Sequence, residues 1–390
     1  MKISEIITGW YKKNRRSLPW RATRDPYRIW LSEVILQQTR ISQGTAYYQA
    51  FVGRFPDINA LAGASEQEVI KLWQGLGYYS RARNLHAAAR QVVGDLDGMF
   101  PASRDELLNL KGIGPYTAAA IASIAYNEPV AAVDGNVARV ISRLFAIDTP
   151  VNTPKGEKEI SGMAETLLDR DDPGEHNQAM MEFGALQCVP VNPDCHGCPL
   201  NSLCRAFAED RVAELPVKLK KAKIKKRYFT YMVISHQKHT YIERRTSDDI
   251  WKELYQFPLT EHDTLPKEEE IPGIVEARIG ALPEMLFGGT PHELGKPRFS
   301  IYTHEQDRPQ YSNEPHDQGK PRFSIHHISE PVKHQLTHQL ITARFVHVEI
   351  TEKGFRAPVG WERVPPEKVG EYPLPRLIDR YLEMEDGAPG

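Results

Sequence analysis

The chain has 390 residues, of which 41% are hydrophobic and 26% charged, with a formal net charge of -2. That length exceeds one ordinary hydrophobic core, so two domains are expected, with the composition of a globular protein. No apolar run reaches roughly 18 residues, and Met1-Lys2-Ile3-Ser4-Glu5 lacks an apolar signal region, so neither a membrane span nor a secretory signal is expected; a reducing cytoplasmic setting is.

The first basic stretch comes early. Residues 11–28 hold Lys12, Lys13, Arg15, Arg16, Arg21, Arg24 and Arg28 against one acid, Asp25. Such a stretch can neutralise phosphates, or it can be a solvated face. From the N-terminus to about residue 210 apolar residues recur three and four apart, as in Ile29-Trp30-Val34-Ile35, Val69-Leu72-Trp73-Leu76 and Val137-Val140-Ile141-Leu144, which predicts helices. Glu33 shares its helical face with Ile29 and Leu36. A carboxyl among apolar neighbours holds its proton and suits a general acid, although an exposed or locally paired glutamate is the commoner case.

Ser103-x-x-Glu106 is a capping box that predicts a short helix over Asp105–Leu110. Leu110-Lys111-Gly112-Ile113-Gly114-Pro115-Tyr116 follows. Gly112 and Gly114 flank one apolar plug, let the turn bend and expose N–H groups where the next helix begins, an arrangement suited to a DNA phosphate. An ordinary close-packed helix turn fits the same residues. Next, Val133-Asp134-Gly135-Asn136-Val137 leads into a helix. Asp134 reads first as an N-cap; the helix dipole there also favours its charged form, which could stabilise an oxocarbenium-like centre.

All four cysteines fall in Cys188-x6-Cys195-x2-Cys198-x5-Cys204. Four thiolates gathered this way suit a [4Fe–4S] cluster or a structural Zn2+. Only one close Cys-x2-Cys pair is present, so the spacing leans to iron–sulfur, and disulfides would staple only a local loop. After Leu215-Pro216 a second basic run, Lys218 to Arg227, can also neutralise phosphates or form a solvated face, and equally reads as a basic linker over 216–228. Tyr228–Ile234 is β-branched and aromatic, and further strands are expected at Thr240–Glu243 and Ala343–Ile350, giving a mixed α/β second domain. Within it the segment 291–301 recurs at 315–325 with nine of eleven positions matching, which marks about 283–330 as a duplicated, flexible surface insertion.

Taken together, these motifs resemble the endonuclease III superfamily of DNA glycosylases. Leu18-Pro19-Trp20-Arg21, Ser32–Thr39, Gly75-Leu76-Gly77-Tyr78-Tyr79-Ser80-Arg81 and Asn177-Gln178-Ala179-Met180 narrow the resemblance to adenine glycosylases of the MutY type, which remove adenine mispaired with 8-oxoguanine. The fold implied is an all-α helix-hairpin-helix glycosylase domain with an iron–sulfur loop over 1–215, then a smaller α/β Nudix-like domain over 229–385. The implied cofactor is a [4Fe–4S] cluster on Cys188, Cys195, Cys198 and Cys204. The implied partner is double-stranded DNA carrying A:8-oxoguanine or A:G, bound by a monomer.

The resemblance also implies roles. Glu33 matches the acid that protonates adenine N7, and Asp134 the carboxylate that stabilises the sugar cation or briefly bonds to it. Tyr116 stands where lyases of the superfamily carry a catalytic lysine, which points to hydrolysis alone; with Asn136 it would hold the carboxylate and water. Trp20, Arg21, Glu33 and Gln178 match the pocket for the flipped adenine, and Gln38 and Tyr78 the residues that fill and wedge the gap. Lys111, Gly112 and Gly114 would meet a phosphate. Trp251–Pro258 resembles part of the Nudix-like domain, but no pyrophosphatase box follows it, so this domain would bind without catalysis. Leu336-Thr337-His338 stands where the family's lesion-reading loop has an aromatic, a serine and a histidine; Thr337 and His338 keep the polar part. The loop between Cys188 and Cys195 has no positive charge, unlike that of many members. The alternatives are a bifunctional glycosylase and lyase acting on oxidised pyrimidines, a non-enzymatic iron–sulfur DNA-binding or redox-sensing protein, and a nucleotide pyrophosphohydrolase.

Overall fold

Helix starts are set by local capping chemistry. Asp25 accepts from the Tyr27 N–H ahead of Pro26, Ser65 accepts from the Glu68 N–H, and Asp134 accepts from the N–H groups of Asn136 and Val137. The computed structural model describes residues 2–219, 224–280, 323–352 and 354–386. It divides into two compact units, Met1–Lys221 and Ala222–Gly390.

The first unit is helical. Its first half holds α1 (Ile3–Asn14), α2 (Pro26–Leu36), α3 (Ile41–Arg54), α4 (Ile58–Gly63), α5 (Glu66–Trp73) and α6 (Ser80–Asp95). Then come α7 (Arg104–Leu107), α8 (Pro115–Tyr126), α9 (Gly135–Phe145), α10 (Pro154–Leu167), α11 (Pro173–Leu186) and α12 (Arg205–Ala208). The stripe Val137-Val140-Ile141-Leu144 is buried and packs with Ile7, Tyr11, Ile160, Met180 and Phe183, so α1, α9, α10 and α11 share one core. Cys188, Cys198 and Cys204 lie against the edge of that core. Helix α8 is buried over Thr117–Ile124 and runs through the interior.

Half of the expected capping box forms: the Ser103 hydroxyl accepts from the Glu106 N–H at 3.3 Å, and the Glu106 carboxylate accepts from that hydroxyl at 2.8 Å. The helix is shorter than the expected Asp105–Leu110: it ends at Leu107. Beyond it the bonds tighten to three-residue spacing, Asn109 N–H to Glu106 O and Leu110 N–H to Leu107 O, and the chain turns into the hairpin.

In the second unit β1 (Lys225–His236), β2 (His239–Arg244), β3 (Tyr255–Gln256) and β4 (Leu259–His262) precede α13 (Ile271–Ile279). Strands β5 (Phe323–Ile328), β6 (Val332–Gln335), β7 (Gln339–Ile350) and β8 (Trp361–Val364) and then α14 (Arg376–Asp386) complete it. The sheet runs β3-β2-β1-β7-β5, with β4 on β1, β6 on β7 and β8 on β2. Strand β1 pairs in parallel with β7, and the other pairings are antiparallel. Helices cover both faces. Phe229, Tyr231 and Phe345 pack towards Leu377, Ile378 and Tyr381 of α14, whereas Met232, Ile234, Val346 and Val348 pack towards Ile271, Val275 and Ile279 of α13. This explains why β1 is a near-continuous apolar run.

Two expectations about this unit are corrected. The basic run does not stay a linker to residue 228, because β1 begins at Lys225, in register with Gln339 of β7. Arg227 is 6% exposed and paired with Asp249 and Glu261, so its charge is consumed internally. The duplicated insertion does not reach residue 330 either. Phe323-Ser324-Ile325, the end of the second copy, belongs to β5 and pairs with β7. The rest of both copies lies outside the described residues.

Candidate active site

A cavity of about 730 Å3 opens among α2, the hairpin before α8, the start of α9 and α11. It is lined by Trp20, Arg21, Glu33, Gln38, Gly112, Gly114, Tyr116, Asp134, Asn136 and Gln178, so ten of the residues expected from sequence meet at one place. Glu33 projects from α2, whose other faces are buried through Tyr27, Ile29, Trp30, Leu31, Val34 and Ile35. The Tyr116 hydroxyl donates to Glu33 Oε2 at 2.6 Å. Burial pushes the Glu33 carboxyl up to about 7; the Tyr116 hydrogen bond and Arg21 oppose that, and the neighbouring Asp134 adds to it. Tyr116 is held well above its ordinary pKa by its own burial and by the charges of Glu33 and Asp134, and so keeps its proton.

Asp134 is the N-cap of α9. Its Oδ1 accepts from the Asn136 and Val137 N–H groups at 2.9 and 2.7 Å, and its Oδ2 accepts from Asn136 Nδ2 at 2.8 Å. Burial raises its pKa, while these three bonds favour the charged form. The two carboxyls therefore sit in unlike surroundings, one held by N–H donors and one by a single hydroxyl. The sequence expectation that Tyr116 would hold the Asp134 carboxylate is corrected: its hydroxyl goes to Glu33, and Asn136 alone of that pair reaches Asp134.

The remaining expected residues fall as follows. Trp20 is buried, edge-on to Tyr48. Arg21 forks onto Glu182 at 2.9 and 2.7 Å, and Arg16 grips the same carboxylate through both side chain and backbone. Burial alone would raise Glu182, but the hydrogen bonds from Arg21 and Arg16 overcome it and hold the carboxyl at about 2. Gln178 accepts from the Tyr11 hydroxyl at 3.0 Å. Gln38 and Tyr78 are both exposed and both left-handed, with φ of 56° and 49°, and Tyr78 lies off the cavity wall. In the hairpin Ile113 is the buried plug, and Gly112 needs glycine twice: its φ is +75°, and a Cβ would meet Asn84 at 2.6 Å. Gly114 needs it on neither count, since it is extended and open. Lys111 is exposed, with its N–H on Gln91.

Cys188, Cys195, Cys198 and Cys204 line one small cavity of about 30 Å3 with Arg143. Burial pushes the Cys198 thiol up to about 11, with the three other thiols adding to it. Thiolates so crowded require cations among them, and the donor set of four sulfurs fits an iron–sulfur cluster. Among the described residues no three His, Cys, Asp or Glu side chains are grouped to hold one metal ion. Arg143, 3% exposed, donates to Cys188 Sγ at 3.4 Å, to the carbonyls of Val189 and Pro190 and to that of Leu215, and so clamps the loop. Thr337 and His338 form the exposed turn between β6 and β7, where the His338 carbonyl accepts from the Lys225 N–H.

Reading the sequence missed several residues of this site. Glu182 carries the signal that singled out Glu33, a lone acid in an apolar helical stretch, Met180-Met181-Glu182-Phe183. Arg139 and Arg143 stand four apart on α9 beside its apolar stripe, and both are buried. Tyr11 and Arg16 gave no signal beyond their place near a basic stretch.

Residues 31–165 match the family described as HhH-GPD superfamily base excision DNA repair protein, and residues 230–384 match the NUDIX domain. An adenine DNA glycosylase of Buchnera aphidicola (subsp. Acyrthosiphon pisum) is 34% identical over 278 residues, covering 71% of this chain and 78% of the relative. The adenine DNA glycosylase of Homo sapiens is 44% identical over 209 residues, 51% of this chain and 38% of the relative. Among solved structures, a thermostable thymine-DNA glycosylase superposes with a TM-score of 0.50 at 31% identity, covering 53% of this chain and 95% of its own. No helix among the described residues is long and apolar enough to cross a membrane.

Proposed function

The chain belongs to the adenine DNA glycosylase family, base-excision-repair enzymes that hydrolyse an N-glycosidic bond, and we propose that it excises adenine paired with 8-oxoguanine or guanine, without cleaving the strand. The observation that carries the reading is Glu33, a carboxyl with a pKa of about 7 in the cavity that also holds Asp134. Near neutral pH a large fraction of Glu33 still holds its proton. It gives that proton to N7 of the extruded adenine; the C1′–N9 bond breaks, and its electron pair leaves with the base. Positive charge then develops on the deoxyribose, where the Asp134 carboxylate stabilises it or bonds to it until water adds at C1′ and loses a proton. Asn136 orients Asp134, Trp20 offers a flat apolar surface to the base, and Arg21 and Gln178 present polar edges. Tyr116 hydrogen-bonds Glu33 and offers no amine for a Schiff base, which favours hydrolysis alone.

A [4Fe–4S] cluster held by Cys188, Cys195, Cys198 and Cys204 would supply the cationic core that keeps four crowded thiolates charged. Arg143 then fixes the loop around it. Gly112 and its neighbours in the hairpin suit a DNA phosphate, with Lys111 adding charge. Thr337 and His338 read the opposite base from the second unit. The enzyme works as a monomer on duplex DNA in the cytoplasm. The test compares single-turnover adenine release from duplexes with 8-oxoguanine, guanine or cytosine opposite. Release should be fastest opposite 8-oxoguanine, strands should break only after alkali, borohydride should trap no adduct, and Glu33→Gln should lose activity by on the order of 100-fold or more. A trapped adduct, or a Glu33→Gln protein at the wild-type rate, would overturn the reading.

A further inference from the structure

Arg81, in the first turn of α6, has no carboxylate partner among the described residues. The two terminal nitrogens of its guanidinium are spent on carbonyl oxygens of two separate segments, while its buried Nε has no hydrogen-bond partner among those residues. Nη1 donates to Val34 O at 3.0 Å, to Ile35 O at 3.4 Å and to Gln37 O, and Nη2 donates to Leu76 O and Gly77 O, both at 3.3 Å. The first three carbonyls lie at the C-terminal end of α2, where backbone acceptors lack helical partners and the dipole favours a cation. The last two lie in the turn after α5. The group also sits 5.0 Å from the Trp73 ring and 5.6 Å from the Tyr78 ring.

Gln37 immediately precedes Gln38, and Gly77 immediately precedes Tyr78. Both Gln38 and Tyr78 are non-glycine residues at positive φ, 56° and 49°. Such a backbone conformation is unfavourable for a residue with a Cβ and persists only where its surroundings hold it. Trp73 adds to the hold on the second segment, its Nε1 donating to Gly77 O at 3.0 Å. Arg81 thus grips the residue before each of the two.

We infer that Arg81 is a positioning residue that fixes Gln38 and Tyr78 to each other as one wedge, so that both enter the duplex together when adenine is extruded. The inference rests on the reading of Gln38 and Tyr78 as the residues that fill and wedge the gap. Its chemistry is that of a planar fork: five acceptors on two strands of chain need the spread of a guanidinium, and the compact ammonium of lysine cannot serve both.

The wedge is needed only where unstacking is costly, and this gives a readout that plain destabilisation would not share. Single-turnover adenine release is measured on two duplexes containing the same A:8-oxoguanine pair, one with fully paired flanks and one flanked by mismatches, where extrusion costs less. Arg81→Lys should lose roughly tenfold or more on the first and less than about threefold on the second, a difference of at least about threefold that corresponds to a change in extrusion cost of about 0.7 kcal/mol. Added to Gln38→Ala/Tyr78→Ala it should cause little further loss. Arg81→Gln, which keeps donors without the charge, is the second variant should the lysine protein fold poorly. Equal loss on both duplexes, or none on either, overturns the inference. If the Gln38→Ala/Tyr78→Ala protein itself fails to distinguish the duplexes, the wedge reading falls and takes this one with it. If that protein distinguishes them and both Arg81 variants do not, only the role of Arg81 falls.

Discussion

Glu33 is kept near a pKa of about 7 by opposing effects: burial, helped by Asp134, raises it, and the Tyr116 hydroxyl, helped by Arg21, pulls it back. The consequence for rate has a definite sign. A general acid works in its protonated form, so single-turnover release should decline as pH rises through about 7. Tyr116→Phe removes a hydrogen bond that favours the charged form, so it should move that decline to higher pH; a shift downward would mean that the bond favours the acid form instead. The consequence for stability follows from the same shift. Glu33 binds its proton more tightly folded than unfolded, so its contribution is full below the unfolded value of about 4.5 and is lost as pH rises through about 7. Glu33→Gln should therefore be more stable than the parent at pH 8 by up to about 3 kcal/mol, with the gap closing towards pH 4, as urea denaturation at the two pH values would measure. The same residue would thus weaken the fold and drive the reaction. Its apolar neighbours at helical spacing made it legible in the sequence; its hydroxyl partner was not, because Tyr116 lies 83 residues away.

At the scale of elements, the site depends on how α9 and α11 cross. Asp134 is held by Asn136, whose Oδ1 accepts from Arg139 Nη2 at 2.9 Å, and Arg139 also donates to the carbonyls of Gly184 and Cys188. The start of α9, the end of α11 and the first cysteine are thereby tied through one buried guanidinium. Gly184 permits the crossing: a Cβ there would lie 2.7 Å from Asn136 Cβ and 2.8 Å from its carbonyl oxygen. Gly184→Ala should push the start of α9 aside, costing about 1–3 kcal/mol of stability and, through misplacement of Asp134, at least about tenfold in rate. Gly162→Ala on α10, which has nothing within 4 Å of its Cβ, should be neutral or stabilising by up to about 1 kcal/mol. Equal behaviour of the two proteins would detach Asp134 from the crossing. The individual helices were readable from caps and apolar spacing. The crossing was not, because a glycine inside a helix announces only that something comes close, and never what.

Across the whole molecule, the residues assigned to bond cleavage lie in the first unit and those assigned to reading the opposite base in the second. The second unit was legible as α/β from the β-branched run at Tyr228–Ile234, but its central pairing was not. Lys225 of β1 registers with Gln339 of β7, and only contact, not local pattern, joins strands so far apart in sequence. That pairing brings the β6–β7 turn, with Thr337 and His338, level with the start of β1, where His338 O accepts from the Lys225 N–H. Both side chains are exposed there, free of the core in which Leu336 takes part. A reading role makes a prediction that a structural role does not. Thr337→Val and His338→Ala each remove a hydrogen-bonding group without disturbing a core, so each should lower the preference for A:8-oxoguanine over A:G by roughly tenfold, about the worth of one hydrogen bond, with the rate on A:G nearly unchanged. Glu33→Gln should instead depress both rates together, because the acid acts on the adenine whatever base stands opposite. Should the two turn variants also depress both rates together, the β6–β7 turn would not be the surface that distinguishes 8-oxoguanine from guanine.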